Sequence, residues 1–229
     1  MSEQPRLVVL ASGRGSNFQA ILNAIKQQRL AATLGAMISD RAGAGALELA
    51  ANQDVDTVCI EPRHFSGRDD YEKALMTAID GFAPHWVVLA GFMRVLGANL
   101  VHHYLGRMIN IHPSLLPRHR GLNTHRRVLE AGESDHGASV HFVTPALDSG
   151  PVIAQVRMRV AEDDTADTLA DRLLPLEHRL YPATLALLLD HRVELRDEDI
   201  CIDDQTIAAP LRLGRDLDDD GRLVRPGER

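Results

Sequence analysis

The sequence predicts an α/β fold: a Rossmann-like, doubly wound and mostly parallel sheet, with antiparallel additions in the C-terminal half. Three observations carry this. Short apolar runs alternate with segments of helical period through the first half of the chain. The runs are continuous rather than alternating, as in strands buried on both faces. After Pro113 the rhythm changes to two β-rich segments, Ala138–Thr144 and Pro151–Val160, followed by one long helical stretch.

Each element has its own signal. Leu7–Ala11 is apolar throughout and reads as the first strand, followed by the turn Ser12-Gly13-Arg14-Gly15-Ser16-Asn17. From Asn17 to Arg29, Phe18, Ile21, Leu22 and Ile25 fall at helical spacing. Leu34–Ile38 is a second strand, Ala44–Gln53 a second helix and Asp56–Ile60 a third strand. Ser66 or Asp69 is a candidate cap for a helix over Asp70–Gly81, which Pro84 ends. Trp86–Ala90 is the fourth strand, Gly97–Tyr104 a short helix and Met108–Ile111 the fifth strand. A loop over 114–123 leads to a helix near Thr124–Ala131. The helix from about Thr165 to Asp190 holds Pro175 and Pro182, which mark expected bends. Val193–Ile202 suits a small hairpin.

No repeat or low-complexity linker interrupts the chain, so a single domain over 1–205 is expected. Its halves are about 1–105, for phosphate or nucleotide, and about 106–205, for catalysis. Residues 206–229, with Asp218-Asp219-Asp220 beyond Pro210, read as a polar, partly disordered tail. At 229 residues and 45% hydrophobic, the chain has enough material for a proper core. A net charge of -7 argues against nucleic acid as the main partner. No apolar stretch approaches the ~18 residues of a membrane span, and a strand begins too early to leave room for a signal peptide. Cys59 and Cys201 lie far apart and suit reduced structural cysteines in a cytoplasmic protein.

The most informative segment is Asn110-Ile111-His112-Pro113-Ser114. In a strand, residues two apart share a face, so Asn110 and His112 present an amide and an imidazole side by side. Asp148, within Asp148-Ser149-Gly150, can charge and orient that imidazole from a neighbouring strand end. Such a trio donates hydrogen bonds to an oxyanion and moves protons. None of the three is a strong nucleophile, which favours direct group transfer over a covalent intermediate.

The turn at 12–17 places backbone N–H groups at a helix start and suits a single phosphate. A dinucleotide fingerprint would need glycine where Phe18 stands, although Asp40 ends strand two where such a site wants an acid. A purely structural turn stays open. Gly91-Phe92-Met93-Arg94-Val95-Leu96 follows strand four, where open α/β sheets bind ligands. Read alone, it is a hydrophobic loop packed on the core. Glu177-His178, read alone, is a solvated pair on the long helix. Histidines recur at 102, 103, 112, 119, 125, 136 and 141, yet no helical His pair with a nearby carboxylate and no cysteine pair supports a metal.

Ser-Gly-x-Gly-Ser-Asn at 12–17, Val-Val-Leu-Ala-Gly-Phe-Met-Arg at 87–94, Asn-Ile-His-Pro-Ser-Leu-Leu-Pro at 110–117, Gly-x-x-x-His at 121–125 and Val-His-Phe-Val-Thr at 140–144 occur in order, with Asp148 and Gly150-Pro151-Val152-Ile153 after them. In these the chain resembles the folate-dependent phosphoribosylglycinamide formyltransferase family over nearly its whole length. The resemblance implies formyl transfer from 10-formyltetrahydrofolate, as co-substrate, to the glycine amine of glycinamide ribonucleotide in de novo purine (IMP) biosynthesis. It implies a catalytic trio of Asn110, His112 and Asp148. Gly15, Ser16 and Asn17 would hold the 5′-phosphate, with Met93 and Glu177 near the glycinamide part. Arg94, Val95, Leu96, Val143, Thr144 and Leu147 would line the pterin slot. No metal, nucleic acid or membrane partner is implied, and both monomer and homodimer stay open. Asp40 in place of a frequent Asn, Pro145-Ala146 in the folate loop and the basic Arg118-His119-Arg120 depart from the family pattern. Formyltetrahydrofolate hydrolase shares the trio but has an N-terminal regulatory domain, for which the early Ser-Gly-x-Gly turn leaves no room. Methionyl-tRNA formyltransferase would need a basic RNA-binding extension. A non-catalytic nucleotide-binding module would leave an intact trio without a use.

Overall fold

Hydrophobic burial along the continuous apolar runs sets the architecture. The structure, a computed structural model, describes residues 4–224, and the chain divides into two compact units, Met1–Asn110 and Ile111–Arg229. In the first unit the elements are β1 (Arg6–Leu10), α1 (Ser16–Lys26), β2 (Thr33–Ser39), α2 (Gly45–Ala51), β3 (Thr57–Cys59), a 3₁₀ turn (Pro62–His64), α3 (Arg68–Gly81), β4 (Trp86–Leu89), α4 (Ala98–His103) and the start of β5 (Met108–His112). The strand order is β3-β2-β1-β4-β5, all parallel. β1 lies between β2 and β4, with Val8 opposite both Ala36 and Val87. Leu7, Val8, Val9 and Leu10 are fully buried, as a run with both faces covered requires.

One helix start differs from expectation. α3 begins at Arg68 behind Gly67, with no side-chain cap. Ser66 instead donates its hydroxyl hydrogen to Asp70, and Asp69 lies inside the first turn, where an acid complements the helix dipole.

The second unit holds the end of β5, α5 (Thr124–Glu130), β6 (Asp135–Phe142), β7 (Val152–Arg159), α6 (Ala166–Asp190), β8 (Val193–Arg196), β9 (Asp199–Ile202), β10 (Gln205–Thr206) and β11 (Leu211–Arg212). β6 and β7 are antiparallel and β11 adds parallel to β7. β8, β9 and β10 form a separate antiparallel sheet, so the expected hairpin gains a third strand. α6 is capped by a reciprocal pair: Thr168 N donates to Thr165 Oγ1 and Thr165 N to Thr168 Oγ1. The helix is continuous through Pro175 and Pro182. Residues Leu180–Leu188 are all buried, so packing offsets the hydrogen bonds the prolines cannot make.

The expectation of a polar, partly disordered tail from 206 is corrected. β11 pairs with β7, Leu217 is fully buried, and Arg179 and Asp219 pair at 3.0 Å. Gly221, at φ +82°, lies so close to α6 that a Cβ would sit 2.5 Å from that of Ala186. Two leucines that precede the acidic run, Leu213 and Leu217, bridge to each other, and Leu217 anchors the segment. Residues 225–229 lie outside the described residues. Leu217→Ala is expected to destabilise the chain by about 2–5 kcal/mol in urea unfolding, as for other buried leucines. A loss under about 0.5 kcal/mol would mean that the segment adds nothing to the fold.

Candidate active site

In the first unit, two turns meet at the ends of parallel strands. Ser12 N donates to Gly91 O at 3.0 Å, and Met93 N donates to Ser12 Oγ at 2.9 Å. The turn after β1 is thus tied to the turn after β4, which no spacing in the sequence announced. Gly15 precedes α1 in the left-handed region at φ 82°, and a Cβ there would lie 2.8 Å from Ala46 Cα. Glycine is required there both by conformation and by the approach of α2. Ser16 and Asn17 open α1, whose first-turn N–H groups have no acceptor within the helix.

Beside these turns, Arg94 Nη1 lies 3.8 Å from Asp40 Oδ2, and its guanidinium stands 5.3 Å from the centre of the Tyr71 ring. Asp40 is buried and its Oδ1 has no hydrogen-bond partner; the Tyr71 hydroxyl is likewise buried and unpartnered. Burial, then the nearby Asp40 carboxylate, pushes the Tyr71 phenol up to about 12. A cavity of about 510 Å³ opens here, lined in part by Phe65, Tyr71, Met93, Arg94 and Val95. Met93 and Val95 are more than half exposed, so the segment is not the core-packed loop that it resembles when read alone. Leu96 does pack inward. Asp40 serves here as an ion-pair partner of Arg94.

The second unit gathers the ionisable groups. His112 is buried and Asp148 largely so, with Nδ1 of the imidazole 3.4 Å from Oδ2 of the carboxylate. Asp148 has φ 46°, a left-handed conformation that Asp tolerates better than most side chains. Gly121 N donates to Asp148 Oδ2 at 2.9 Å. On the far side of the ring, His112 Nε2 lies 3.0 Å from the carbonyl oxygen of His119. Asn110 stands two residues before His112 on β5, paired across to Leu89.

His141 is one of the chain's eleven histidines. Its Nε2 lies 3.8 Å from Asp148 Oδ1 and its Nδ1 2.8 Å from the carbonyl of Phe142. Burial pushes its imidazole down to about 4 against that carbonyl and carboxylate, which favour the charged form. Its place in β6, one strand-face step from Ser139, was the signal available. His125 Nδ1 and His136 Nε2 are 2.9 Å apart, and burial likewise holds His136 down to about 4. Both imidazoles ordinarily titrate near 6.5. The unfolded chain therefore binds more protons than the folded one between these values. Stability is expected to fall as pH drops from about 6.5 towards 4. Unfolding free energies measured across that window should show it, and His136→Gln should flatten the slope. A level profile would mean that burial does not keep these rings neutral.

Among the remaining expected residues, Leu147 is half exposed, and Val143 and Thr144 are partly exposed. Pro145 and Ala146 form an exposed stretch in which Thr144 Oγ1 donates to Ala146 O at 3.4 Å. A cavity of about 440 Å³ is lined by Leu116, Arg120, Asp148 and Gly150 together with Ile207 and Pro210. The C-terminal segment, expected as a tail, forms one wall of this cavity. Glu177 is buried on α6, and the His178 Nε2 is buried without a partner, with burial lowering that ring's affinity for a proton. The reading of Glu177-His178 as a solvated pair is thereby corrected.

These features coincide with known proteins. A model of the formyl transferase family matches residues 5–185. The phosphoribosylglycinamide formyltransferase of Escherichia coli (strain K12) is 43% identical over 201 residues, which cover 88% of this chain and 95% of that protein. The trifunctional purine biosynthetic protein adenosine-3 of Homo sapiens is 36% identical over 193 residues, 84% of this chain but 19% of that longer protein. Among solved structures, the phosphoribosylglycinamide formyltransferase of Coxiella burnetii matches with a TM-score of 0.88 at 46% identity, over 92% of this chain and 99% of that one. With the parallel sheet, the Asn-x-His strand and the facing aspartate, these likenesses show that the chain belongs to the phosphoribosylglycinamide formyltransferase family of formyl transferases.

Proposed function

We propose that the chain moves the formyl group of 10-formyltetrahydrofolate to the glycine amine of glycinamide ribonucleotide. The observation that carries the reading is the setting of His112: its ring has a carboxylate 3.4 Å from one nitrogen and a carbonyl 3.0 Å from the other. Both neighbours accept hydrogen bonds, so the imidazolium, with two N–H groups, is the form that serves both. A charge held at this point opposes the negative charge that grows on the formyl oxygen as the amine adds to the formyl carbon. Asn110 supplies an amide donor from the same strand. Asp148 holds the ring in place and shares in moving a proton from the attacking amine towards the departing folate nitrogen. The turn at Gly15, Ser16 and Asn17 takes the substrate phosphate, and Met93 and Glu177 take its glycinamide part. Arg94, Val95, Leu96, Val143, Thr144 and Leu147 border the pterin, where half-exposed Leu147 and Val95 offer apolar contact.

The test is turnover of 10-formyltetrahydrofolate with and without glycinamide ribonucleotide. Formylated ribonucleotide should appear in step with folate product and only when the acceptor is present. Folate product released at the same rate without acceptor would replace this reading with hydrolysis, and no release in either case would remove the enzymatic reading altogether.

A further inference from the structure

One short turn grips two of the proposed catalytic groups. His119 offers its carbonyl to His112 Nε2 at 3.0 Å, and two residues later Gly121 N donates to Asp148 Oδ2 at 2.9 Å. The turn does not hold itself. His119 has φ 53°, a left-handed conformation that needs support from outside the backbone.

Much of that support comes from one carboxylate, beside Ser114 and the Arg127 guanidinium, which donates to the carbonyl of Arg120. Glu133 lies in the short connection between α5 and β6. Its Oε2 accepts from Arg118 Nη1 at 2.7 Å, and its Oε1 lies 2.7 Å from His119 Nε2. The side chains of Glu133 and His119 are 20% and 13% exposed, so solvent competes weakly with this pair. Ser114 Oγ adds a bond to the carbonyl of Arg118 at 2.7 Å. We propose that Glu133 is a positioning residue for His112, acting through the backbone of the turn that it staples. The inference rests on the catalytic reading of His112 and Asp148 given above.

The physical route is short. A carbonyl accepts and cannot donate, so its place at Nε2 selects ring states that carry a proton there. The Asp148 carboxylate does the same at Nδ1. Loosening of the turn would displace the first acceptor and shift the second, since Gly121 also orients Asp148. The ring would then lose the plane that these two acceptors fix. Glu133 touches no reacting atom, and its effect should fall on the chemical step. It also explains the basic run Arg118-His119-Arg120: two of its three side chains meet one acid.

The test uses two variants, Glu133→Ala and the shape-preserving Glu133→Gln, and two readouts. Misplacement of a catalytic group by about 1 Å costs up to ~100-fold. Glu133→Ala should therefore lower kcat by about 10- to 100-fold, with KM for both substrates within about threefold. Glu133→Gln, which keeps the shape and one acceptor, should recover part of the loss. Independently, the imidazole ¹⁵N resonances of His112, assigned through a His112→Asn control, should move in Glu133→Ala. A merely structural glutamate would lower thermal stability and leave those resonances in place. Unmoved resonances in both variants would overturn the inference, whatever the rates show. Full turnover in His112→Asn would instead overturn the catalytic reading, and the resonances alone would then decide whether Glu133 positions the ring.

Discussion

Asp148→Asn is expected to lower kcat by about two orders of magnitude or more, with much smaller changes in the binding of either substrate. The variant keeps the shape of the side chain, including one oxygen able to accept from Gly121 N, now 2.9 Å from the carboxylate. It removes the charge 3.4 Å from His112 Nδ1. The loss should fall on the chemical step, because the ring no longer faces a negative charge as the oxyanion forms. Asn110→Ala should cost a similar factor through the loss of a separate donor. Groups that act together on one transition state are not additive, so the double variant should lose less than the product of the two single losses. His141 sharpens the test, since its Nε2 lies 3.8 Å from the other oxygen of Asp148. If Asp148→Asn lowers kcat while His141→Asn leaves it near the wild-type value, the effect belongs to the His112 pair. Near wild-type turnover in Asp148→Asn would reduce Asp148 to a residue that shapes its loop.

The parts legible in the sequence were those with short-range signals. β1, β4 and β5 announce themselves as continuous apolar runs because they are buried on both faces, whereas the edge strand β3 is largely exposed and its signal is weaker. Asn110 and His112 are legible because a strand's two-residue period places them on one face. The missed parts depend on contacts between distant residues. Nothing local in Ser12 says that it accepts the Met93 N–H, 81 residues away. Nothing in Glu133, an ordinary acid after a short helix, says that it closes on Arg118 and His119. The tail misled for a different reason. Its acidic composition matches disorder on average, whereas its fold depends on single positions: Leu217, buried completely, and Gly221, where α6 leaves no room for a Cβ. Composition averages over the residues that decide the outcome.

Glu177 carries the second large expected effect. Alone in the sequence it is a helix acid beside a histidine; in the structure it is 9% exposed on the face of α6 that also buries Leu173 and Leu180. Burial of a carboxylate is unfavourable unless hydrogen-bonded partners offset it, and a buried acid held in place on a helix is a candidate for ligand recognition. Under the proposed function it receives donors from the ribonucleotide. Charge-assisted hydrogen bonds of this kind contribute about 1.5–3 kcal/mol, which corresponds to roughly 10- to 150-fold in affinity. Glu177→Gln, which keeps volume and one acceptor, should weaken ribonucleotide binding by the lower part of that range, and Glu177→Ala by the upper part. Binding of a folate analogue should change by less than about twofold in both. Calorimetry with each ligand separately gives the comparison, and urea unfolding of both variants shows whether packing has changed. Equal losses for ribonucleotide and folate analogue would point to a distorted helix. Unchanged ribonucleotide affinity in a folded Glu177→Ala would remove the residue from the substrate site and leave it a structural residue of the helix.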